Sequence, residues 1–543
     1  LNEIECYGCM GSRLNALARN VLIEGQSIAD LTKMPSDALL SFIQNLVVKK
    51  KDLKLVDELM KQIKTRLSFL LEVGLGFLSL GRKAPTLSGG ESQRIRLARQ
   101  LGNGLMGVLY VLDEPTIGLH PRDIENLNQA LKKLKGLGNT LIIVEHDRET
   151  IKEADYILDF GPEAGIHGGH ITSSGTYQTI LDNPNSLTGA YLSGRKKIPF
   201  ERNYGARGFF SISHATKHNL NDVSVQFPLG QLTCITGVSG SGKSTLMNEV
   251  LAPLIKKGLF HDSVKDPLGH LTGISSIEKL IVLDQSPIGL TVRATVATYT
   301  DVLTPLRDFF AKLKEAKIRG LAPKHFSYNH RAGMCTHCWG LGYKLVEMHF
   351  MPSIQVLCSE CQGNRLNPVS LEVMYEGKNL GTHLKSTVDE SLKIFEDHPK
   401  VKRLLKGLVD VGLGYLHLDQ EISTLSGGEA QRMKLAKELV KRSSGDALYL
   451  LDEPTTGLHA HDIAKLMPVI SKLLKKGNTF IVIEHNMDFI QFADWVVDLG
   501  PECGEKGGKV IYQGPLSGIL ECDASYTGKY LKPELDDKTR KAS

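Results

Sequence analysis

The sequence contains no apolar run that approaches the roughly 20 residues needed to cross a bilayer as a helix. It shows no apolar leader of the secretory type either. Aromatic residues are only 6% of the chain, and the formal net charge is only +5. Affinity for a polyanion would therefore have to come from a local patch, because the overall field is weak. These features argue against a membrane protein and predict a cytoplasmic one.

Disulfides are also not expected, although nine cysteines are present. Two pairs of these cysteines have the spacing of metal ligands, which in a chain without a secretion signal favours a reducing compartment and a metal site. At 543 residues the chain is too long for one ordinary domain, and we expect roughly two to four. It begins with Leu1 rather than methionine, which predicts a fragment or a processed chain.

The chain repeats itself. The segment TLSGGESQRIRLARQL returns as TLSGGEAQRMKLAKEL, and LYVLDEPTIGLH returns as LYLLDEPTTGLH. Asp113 thus corresponds to Asp452, and His146 to His485, at the same displacement. The segment CMGSRLN returns as CQGNRLN at a larger displacement, which predicts an insertion in the first copy near residues 49–54.

Both copies alternate apolar strand-like runs with amphipathic helix patterns, which predicts α/β modules with a mainly parallel sheet. We predict that residues 1–195 are the C-terminal part of a first module and that 196–208 is a linker. Residues 209–543 would form a complete second module with a cysteine-containing insertion at about 316–366. The block 209–358 has no counterpart in the first copy, so that counterpart would lie upstream of Leu1.

The segment GVSGSGKST follows the apolar run LTCIT and opens a helical pattern, the context of a phosphate-binding loop. Its glycines allow backbone N–H groups to converge on phosphates, and the helix N-terminus adds partial positive charge. Lys243 would reach the β- and γ-phosphate oxygens of ATP, and the Ser244 hydroxyl would bind Mg²⁺. The residues predicted to bind ATP are Gly237, Ser239, Gly240, Gly242, Lys243, Ser244 and Thr245.

An acidic pair ends an apolar strand in each copy, Asp452 with Glu453 and Asp113 with Glu114. The first acid suits Mg²⁺ binding through water, and the second suits activation of the attacking water. A further helix start, LSGGE, also directs N–H groups at phosphate. Its candidate residues are Ser88, Gly89 and Gly90 in the first copy, and Ser426, Gly427 and Gly428 in the second.

Two cysteine pairs, Cys335 with Cys338 and Cys358 with Cys361, are separated by 19 residues. Four thiolates at this spacing predict a tetrahedral structural Zn²⁺ site. A third pair, Cys6 with Cys9, cannot close such a site alone, and we expect its partners upstream.

Together these motifs resemble the UvrA family of ABC-type ATPases. LSGGE is the signature of the ABC class, but a cysteine module before it is not a feature of transporter ATPases. The segments CITGVSGSGKSTL, DQSPIG, RLLKGLVDVGLGYL and ADWVVDLGPE carry the resemblance, which covers essentially all of the chain. The resemblance implies an ATPase that recognises lesions in double-stranded DNA during nucleotide-excision repair, dimerises, and loads a UvrB-type helicase partner.

The resemblance also implies roles for single residues. Gln285 resembles the glutamine that senses Mg²⁺ and the attacking water, and His485 and His146 resemble the switch histidine that contacts the γ-phosphate. Modules of this class dimerise head to tail, which implies one complete ATP site shared between the halves. In that site Lys243, Ser244, Gln285, Asp452, Glu453 and His485 would face Ser88, Gly89 and Gly90. A second site would use Asp113, Glu114, His146, Ser426, Gly427 and Gly428, with a phosphate loop upstream of Leu1.

A DNA interface is predicted between residues 316 and 346, which include no acidic residue. Basic residues there can neutralise phosphates, and aromatic residues can stack on bases, although composition alone also allows a solvated loop with a few core aromatics. We expect Lys324, Arg331 and Lys344 to contact DNA. The basic and aromatic residues of the stretch are Lys317, Arg319, Lys324, Arg331, Lys344, Phe326, Tyr328, Trp339 and Tyr343.

The family pattern is interrupted in places, and two other functions stay open. Leu290 replaces an arginine, Val292 and Val296 replace prolines, and His325 and Met334 occupy arginine positions. These departures allow a UvrA-like paralogue that gives drug resistance by removing DNA-bound drugs. The other alternative is a soluble transporter-type ATPase subunit, which predicts no zinc module.

Overall fold

The computed structural model describes residues 6–48, 53–84, 87, 89–103, 106–162, 165, 168–201, 205–259, 261–284, 291–348, 351–441 and 445–540. Within these ranges no helix combines the length and the hydropathy that a membrane span requires. The chain folds as two successive α/β repeats, as the alternating sequence pattern predicts.

The first repeat consists of short strands between helices. Its elements are α1 (Ala16–Arg19), β1 (Leu22–Ile23), β2 (Gln26–Ser27), α2 (Ile28–Lys33), α3 (Ser36–Gln44), α4 (Leu53–Glu72), α5 (Gly89–Asn103), β3 (Leu109–Asp113), α6 (Pro121–Gly136), β4 (Thr140–Val144), α7 (Arg148–Lys152), β5 (Ile157–Gly161), β6 (His170–Gly175), α8 (Tyr177–Asp182) and α9 (Leu187–Leu192).

The second repeat begins with strands and a nucleotide-type strand–loop–helix unit. Its first half contains β7 (Phe209–Lys217), β8 (Leu220–Pro228), β9 (Leu232–Thr236), π-helical turns (Thr245–Leu251), α10 (Ala252–Gly258), β10 (Ser263–Asp266), β11 (Gly269–Thr272), β12 (Lys279–Leu283), α11 (Val296–Tyr299), α12 (Leu303–Phe310), α13 (Lys314–Ile318), a 3-10 turn (Pro323–Phe326), β13 (Tyr343–Met348) and β14 (Met351–Leu357).

The remainder of the second repeat is mainly helical until its last strands. It contains α14 (Pro368–Leu371), β15 (Met374–Tyr375), β16 (Lys378–Asn379), α15 (Leu380–Leu384), α16 (Val388–Ile394), α17 (Pro399–Asp410), α18 (Gly427–Val440), β17 (Ala447–Asp452), α19 (Ala460–Lys475), β18 (Thr479–Ile483), α20 (Met487–Ile490), β19 (Trp495–Gly500), β20 (Lys509–Pro515), α21 (Leu516–Ile519) and α22 (Tyr526–Arg540).

A six-stranded sheet in the order β12-β17-β18-β9-β19-β20 forms the centre of the second repeat. All neighbours are parallel except β19 and β20. Side chains of β17 alternate between two cores, as the pleat requires. Tyr449 and Leu451 pack against the helices, whereas Leu448 and Leu450 pack against β7, β8 and the turns that follow the loop after β9. Burial on both faces explains why β9 and β18 are mostly apolar, although each also contains buried threonine.

An antiparallel sheet, β10-β11-β7-β8, covers one face of that central sheet. The buried rings of Phe210 and Phe227 stack inside it, with centroids 5.1 Å apart. The loop after β9 therefore lies at the carboxyl edge of a parallel sheet, the edge at which open α/β sheets bind ligands.

Besides the short pair β1-β2, the described strands of the first repeat form two separate pairs, β3-β4 and β5-β6. Strand β3 pairs with β4 in the register of its counterparts β17 and β18. Apolar residues at positions that are buried in the second repeat are exposed here, by 50% to 68% of their surface. They are Leu109, Val111, Ile142, Val144, Leu158 and Phe160.

The insertion predicted in the first repeat coincides with a longer helix. Helix α4 has 20 residues, whereas its counterpart α17 has 12. Part of the predicted site, residues 49–52, lies outside the described ranges. The extra length extends the helical region of the first repeat. The turn that follows is the same in both repeats, as matching hydrogen bonds show: the Ser36 N–H bonds to Leu78 O, and the Val388 N–H bonds to Leu416 O.

Candidate ATP site and candidate zinc centre

The loop after β9 has the backbone of a phosphate-binding loop. Gly237, Gly240 and Gly242 have φ angles of 127°, 77° and 105°, which disfavour other residues. A Cβ atom on Gly237 would lie 2.0 Å from the carbonyl oxygen of Leu499 in the adjacent strand β19. Glycine is therefore required at the start of the loop by close backbone packing as well as by its conformation.

Lys243 crosses this loop. Its Nζ donates hydrogen bonds to the carbonyl oxygens of Gly237 at 3.0 Å and Val238 at 2.8 Å. Burial lowers the pKa of Lys243 to about 8. Ser244 is exposed beside it and Thr245 begins the helical turns. The acceptors of this ammonium group among the described residues are thus neutral carbonyl oxygens, which a phosphate oxygen could replace.

The acidic pair at the end of β17 faces the same loop. Asp452 accepts a hydrogen bond from Asn248 Nδ2 at 2.8 Å, and burial raises the pKa of this aspartate. Glu453 has a φ of 48°, a conformation that costs energy in a residue other than glycine. Its N–H donates to Ile483 O at 3.0 Å, which fixes the side chain near the end of β18.

The switch-type histidine lies next to that glutamate. His485 Nε2 is 3.8 Å from Glu453 Oε1, and burial holds the pKa of His485 well below its usual value. Its Nδ1 is buried and makes no hydrogen bond within the described part of the chain. In the first repeat, His146 Nε2 is 3.6 Å from Glu114 Oε1 and is more exposed. Glu114 also has a positive φ, 44°.

The two repeats meet at these glutamates. A Cβ atom on Gly118 of the first repeat would lie 3.1 Å from Glu453 Oε2. A Cβ atom on Gly457 of the second repeat would lie 2.9 Å from Glu114 Oε2. The turn after each acidic pair therefore contacts the acidic pair of the other repeat, which is a head-to-tail arrangement with approximate two-fold symmetry.

The phosphate loop itself also contacts the first repeat. The Ser239 N–H donates to Asp123 Oδ2 at 3.2 Å, and the Ser239 hydroxyl donates to Gly118 O at 3.2 Å. A Cβ atom on Gly240 would lie 3.2 Å from the ring of Phe77. One side of the loop is thus formed by the opposite repeat.

The predicted caps begin helices in both repeats. Gly89 and Gly90 open α5. Ser426 precedes Gly427 and Gly428 and caps α18, accepting the Glu429 N–H at 3.2 Å. Asp113 ends β3, as Asp452 ends β17. Ser88 and Gln285 lie outside the described residues, so their roles, and the pairing of Gly89 and Gly90 with the phosphate loop, stay predictions.

Sequence reasoning missed a second glutamate, which precedes each switch histidine. The buried Glu484 accepts the Thr455 N–H at 2.9 Å and the His485 N–H at 2.9 Å. Glu145 does the same for Thr116 and His146 in the first repeat. The repeated pair Glu-His in VEHD and IEHN was the available signal. This carboxylate ties the switch histidine to the turn that contacts the other repeat.

The four predicted cysteine ligands come together. The sulfur atoms of Cys335, Cys338, Cys358 and Cys361 lie within 4.8 Å of one another and are buried. The Cys335–Cys358 and Cys338–Cys361 sulfur distances are 3.9 and 3.6 Å. A tetrahedron with Zn–S bonds of ~2.3 Å has S–S edges of ~3.8 Å, so the cluster fits Zn²⁺. The Gly342 N–H donates to Cys338 Sγ at 3.2 Å, as expected around a thiolate ligand.

The lone pair Cys6–Cys9 has the same backbone turn as Cys358–Cys361. The Met10 N–H bonds to Cys6 O and the Gln362 N–H bonds to Cys358 O, both at 2.8 Å. The first repeat therefore contains one half of an equivalent cysteine module.

The predicted DNA residues belong to the same segment of chain as the cysteine cluster. Lys324, Arg331 and Lys344 are all exposed, and none has an ion-pair partner among the described residues. Trp339, next to the ligand Cys338 in the sequence, is 58% exposed. The antiparallel hairpin β13-β14 extends from the cluster. A basic surface with one accessible aromatic ring thus lies on the zinc-type module.

Two aromatic residues of that stretch are not available for stacking on bases. Phe326 and Tyr328 are fully buried, and the Tyr328 hydroxyl is 2.6 Å from Thr295 Oγ1. They belong to the main core, because the 3-10 turn folds back against α12.

Among the departures from the family pattern, the Val296 N–H bonds to Gln420 O at 3.0 Å, a bond that proline cannot make. Leu290 lies outside the described residues.

Known proteins resemble this chain over nearly its whole length. A family described as ABC transporter matches residues 353–456. UvrABC system protein A of Aquifex aeolicus is 51% identical over 99% of this chain and 59% of that protein. The protein of the same name from Bacillus subtilis is 50% identical over 100% of this chain and 57% of that protein. The chain thus spans less than two thirds of the length of these curated relatives.

A solved structure agrees with the sequence comparison. The crystal structure of UvrA2 from Deinococcus radiodurans superposes with a TM-score of 0.90 at 41% identity. The match covers 97% of this chain and 66% of that one. The similarity therefore extends to the arrangement of the two repeats and not only to the separate modules.

Proposed function

This chain belongs to the UvrA family, and from that premise we propose that it is an ATPase that couples nucleotide hydrolysis to the recognition of damaged double-stranded DNA. The observation that carries the proposal is the contact between the repeats, where Gly118 lies against Glu453 and Ser239 bonds to Asp123. An ATP site built in this way is sensitive to the relative position of the two repeats. Such sensitivity is what coupling to a large DNA ligand requires.

Each residue of the site has a step that it can perform. Lys243 exchanges its two carbonyl acceptors for β- and γ-phosphate oxygens. Mg²⁺, held by Ser244 and Asp452, would neutralise charge on the phosphates. Glu453 accepts a proton from the attacking water, and the free Nδ1 or the Nε2 of His485 contacts the γ-phosphate. The first repeat closes the site with Ser88, Gly89 and Gly90.

We assign residues 1–195 and 209–543 to two ABC-type modules joined by 196–208, with the zinc module at about 316–366. The cysteine cluster holds Zn²⁺, which fixes the surface of Lys324, Arg331 and Lys344 for the DNA backbone. Damage has no constant sequence, so recognition depends on the shape and deformability of the duplex. We also propose that the protein acts in the cytoplasm as a homodimer and loads a UvrB-type partner onto the DNA.

The test compares binding of the chain to a lesion-containing duplex and to the same duplex without the lesion, each with and without ATP. We expect tighter binding to the lesion and a dependence of that preference on ATP. Equal affinity for both duplexes would instead favour the paralogue that removes DNA-bound drugs. Absence of DNA binding altogether would reject the proposal.

The DNA surface has its own test in the salt dependence of binding. The double change of Lys324 and Arg331 to alanine should reduce the slope of log K against log salt by about one unit for each lost phosphate contact. Lys257→Ala, at a basic residue already paired with Asp266 and remote from the cysteine module, is the matched control. An unchanged slope in the double variant would place the DNA elsewhere.

A further inference from the structure

His120 of the first repeat lies inside the ATP site of the second repeat, and none of the proposed steps uses it. It follows the turn that contacts Glu453, and it is 1% exposed. Its ring packs edge-on against the ring of the switch histidine His485, with centroids 6.2 Å apart and planes at 84°. The first repeat therefore contacts the switch histidine directly.

The hydrogen bonds of His120 define its tautomer. Its Nδ1 accepts the N–H of Arg122 at 3.3 Å, which caps the start of α6. Burial and the nearby charge of Lys243 lower the pKa of His120 to about 3, so the ring is neutral. The single ring proton must then be on Nε2, which donates to Thr527 Oγ1 at 3.2 Å.

The contact continues to the phosphate loop. The Thr527 hydroxyl donates to Asp498 Oδ1 at 3.0 Å, and the Thr236 hydroxyl donates to the same oxygen at 2.8 Å. Thr236 is the last residue of β9, directly before Gly237. One series of hydrogen bonds thus joins the first repeat to the base of the phosphate loop in the second.

The same arrangement occurs at the second contact between the two repeats, around His459. His459 packs edge-on against His146, with centroids 6.0 Å apart. Its Nδ1 accepts the His461 N–H, and its Nε2 is 3.1 Å from Thr188 Oγ1. Thr188 in turn donates to Asp159 at 2.6 Å. Residues at matching positions make the same contact in both repeats, so the contact is a regular part of the interface between the repeats.

We propose that His120 is a positioning residue, through which docking of the first repeat sets the geometry of the ATP site in the second. It holds His485 from the side, and through Thr527 and Asp498 it holds the strand end that carries the phosphate loop. When the repeats separate, both supports are lost together. This inference rests on the proposed ATPase function, and it adds that turnover depends on the donor at Nε2 of His120.

Two substitutions separate this role from simple capping of α6. In His120→Asn the side-chain oxygen can still accept the Arg122 N–H, but no donor reaches Thr527. In His120→Gln the amide N–H can reach Thr527, while the cap geometry is lost. A positioning role predicts that the asparagine variant lowers kcat by about tenfold, the size expected for one buried hydrogen bond. It predicts that the glutamine variant recovers most of kcat, with the Kd for ATP within about twofold in both.

His459→Asn is the matched control, because it makes the same change at the second contact between the repeats, where the described residues include no phosphate loop. It should leave kcat within about twofold of the wild type. Thr527→Val removes the next donor without touching α6, and should lower kcat as His120→Asn does. Thermal unfolding of each variant reports any general loss of stability.

The outcomes distinguish a failure of the proposed ATPase function from a failure of the role assigned to His120. A wild-type chain without ATP turnover would reject the proposed function, and this inference with it. Turnover in the wild type, with His120→Asn or Thr527→Val unchanged, would overturn the inference alone. So would recovery by asparagine instead of glutamine, or equal loss in His120→Asn and His459→Asn.

Discussion

Lys243 is a buried ammonium group whose two described acceptors are neutral carbonyl oxygens. Its pKa of about 8 means that part of the population is uncharged in mildly alkaline solution. A bound triphosphate favours the charged form and raises this pKa, so the binding is coupled to proton uptake. ATP affinity should be fully present below pH 8 and should fall by up to ~tenfold per pH unit above it.

Equilibrium binding of ATP between pH 7 and 10 measures this effect. Lys243→Arg should bind more weakly but without the alkaline loss, since a guanidinium stays charged throughout the range. Lys243→Ala should abolish binding at every pH. A wild-type affinity that is constant up to pH 10 would contradict the coupling.

Glu453 and Glu114 are a natural pair of test and control, because both have a positive φ and both face a glycine of the other repeat. Glu453→Gln should retain ATP binding and reduce hydrolysis by about 100-fold or more, since the attacking water loses its base. Glu114→Gln makes the same change in the first repeat, whose described residues include no phosphate loop, and should have a much smaller effect. Single-turnover hydrolysis with labelled ATP measures both, and equal losses would refute the assignment.

At the scale of the elements, the cysteine module combines two short turns with the hairpin β13-β14. Little apolar surface holds these pieces together, and the buried cluster of four sulfur atoms lies between them. Metal analysis under reducing conditions should therefore find about one zinc per chain. Cys335→Ser should lose it and Cys522→Ser should keep it. A zinc-free wild-type chain would show that the four cysteines do not form a zinc site.

Elements whose function depends on local spacing were predictable from the sequence. The loop from Gly237 to Ser244 and the cysteine pairs lie within short segments, where residue type and interval dictate the geometry. The sequence left open whether Phe326 and Tyr328 stack on bases or belong to the core, because tertiary packing decides whether an aromatic residue is exposed. Their sequence context was basic, but their rings fill the main core.

At the scale of the whole molecule, the internal repeat predicted that two modules face each other, but not which atoms meet. The contacts of Gly118 with Glu453 and of Ser239 with Asp123 join positions more than a hundred residues apart. No periodicity or spacing in one sequence specifies such pairs. His120 was overlooked for the same reason, since a histidine at a helix start is ordinary until its partners are known.

The whole-molecule arrangement makes one further prediction about the two signature segments. Ser88→Arg should reduce hydrolysis by about tenfold or more, because the predicted pairing has this residue close the ATP site of the second repeat. Ser426→Arg should matter far less, since the predicted pairing directs it to the first repeat, whose described residues include no phosphate loop. Steady-state ATPase rates measure both. Equal losses would show that the repeats do not pair in this way, or that another chain supplies the cap.

The paired strands of the first repeat have a consequence for the exchange of amide protons with solvent. Strands β18 and β19 lie inside a six-stranded sheet, whereas β4 and β5 are each bonded on one side only among the described residues. The hydrogen bonds of the amides in β4 and β5 can therefore break when a single strand pair separates, and little buried side-chain area opposes that separation. Deuterium should enter Thr140–Val144 much sooner than Thr479–Ile483, although the two strands have nearly the same apolar sequence.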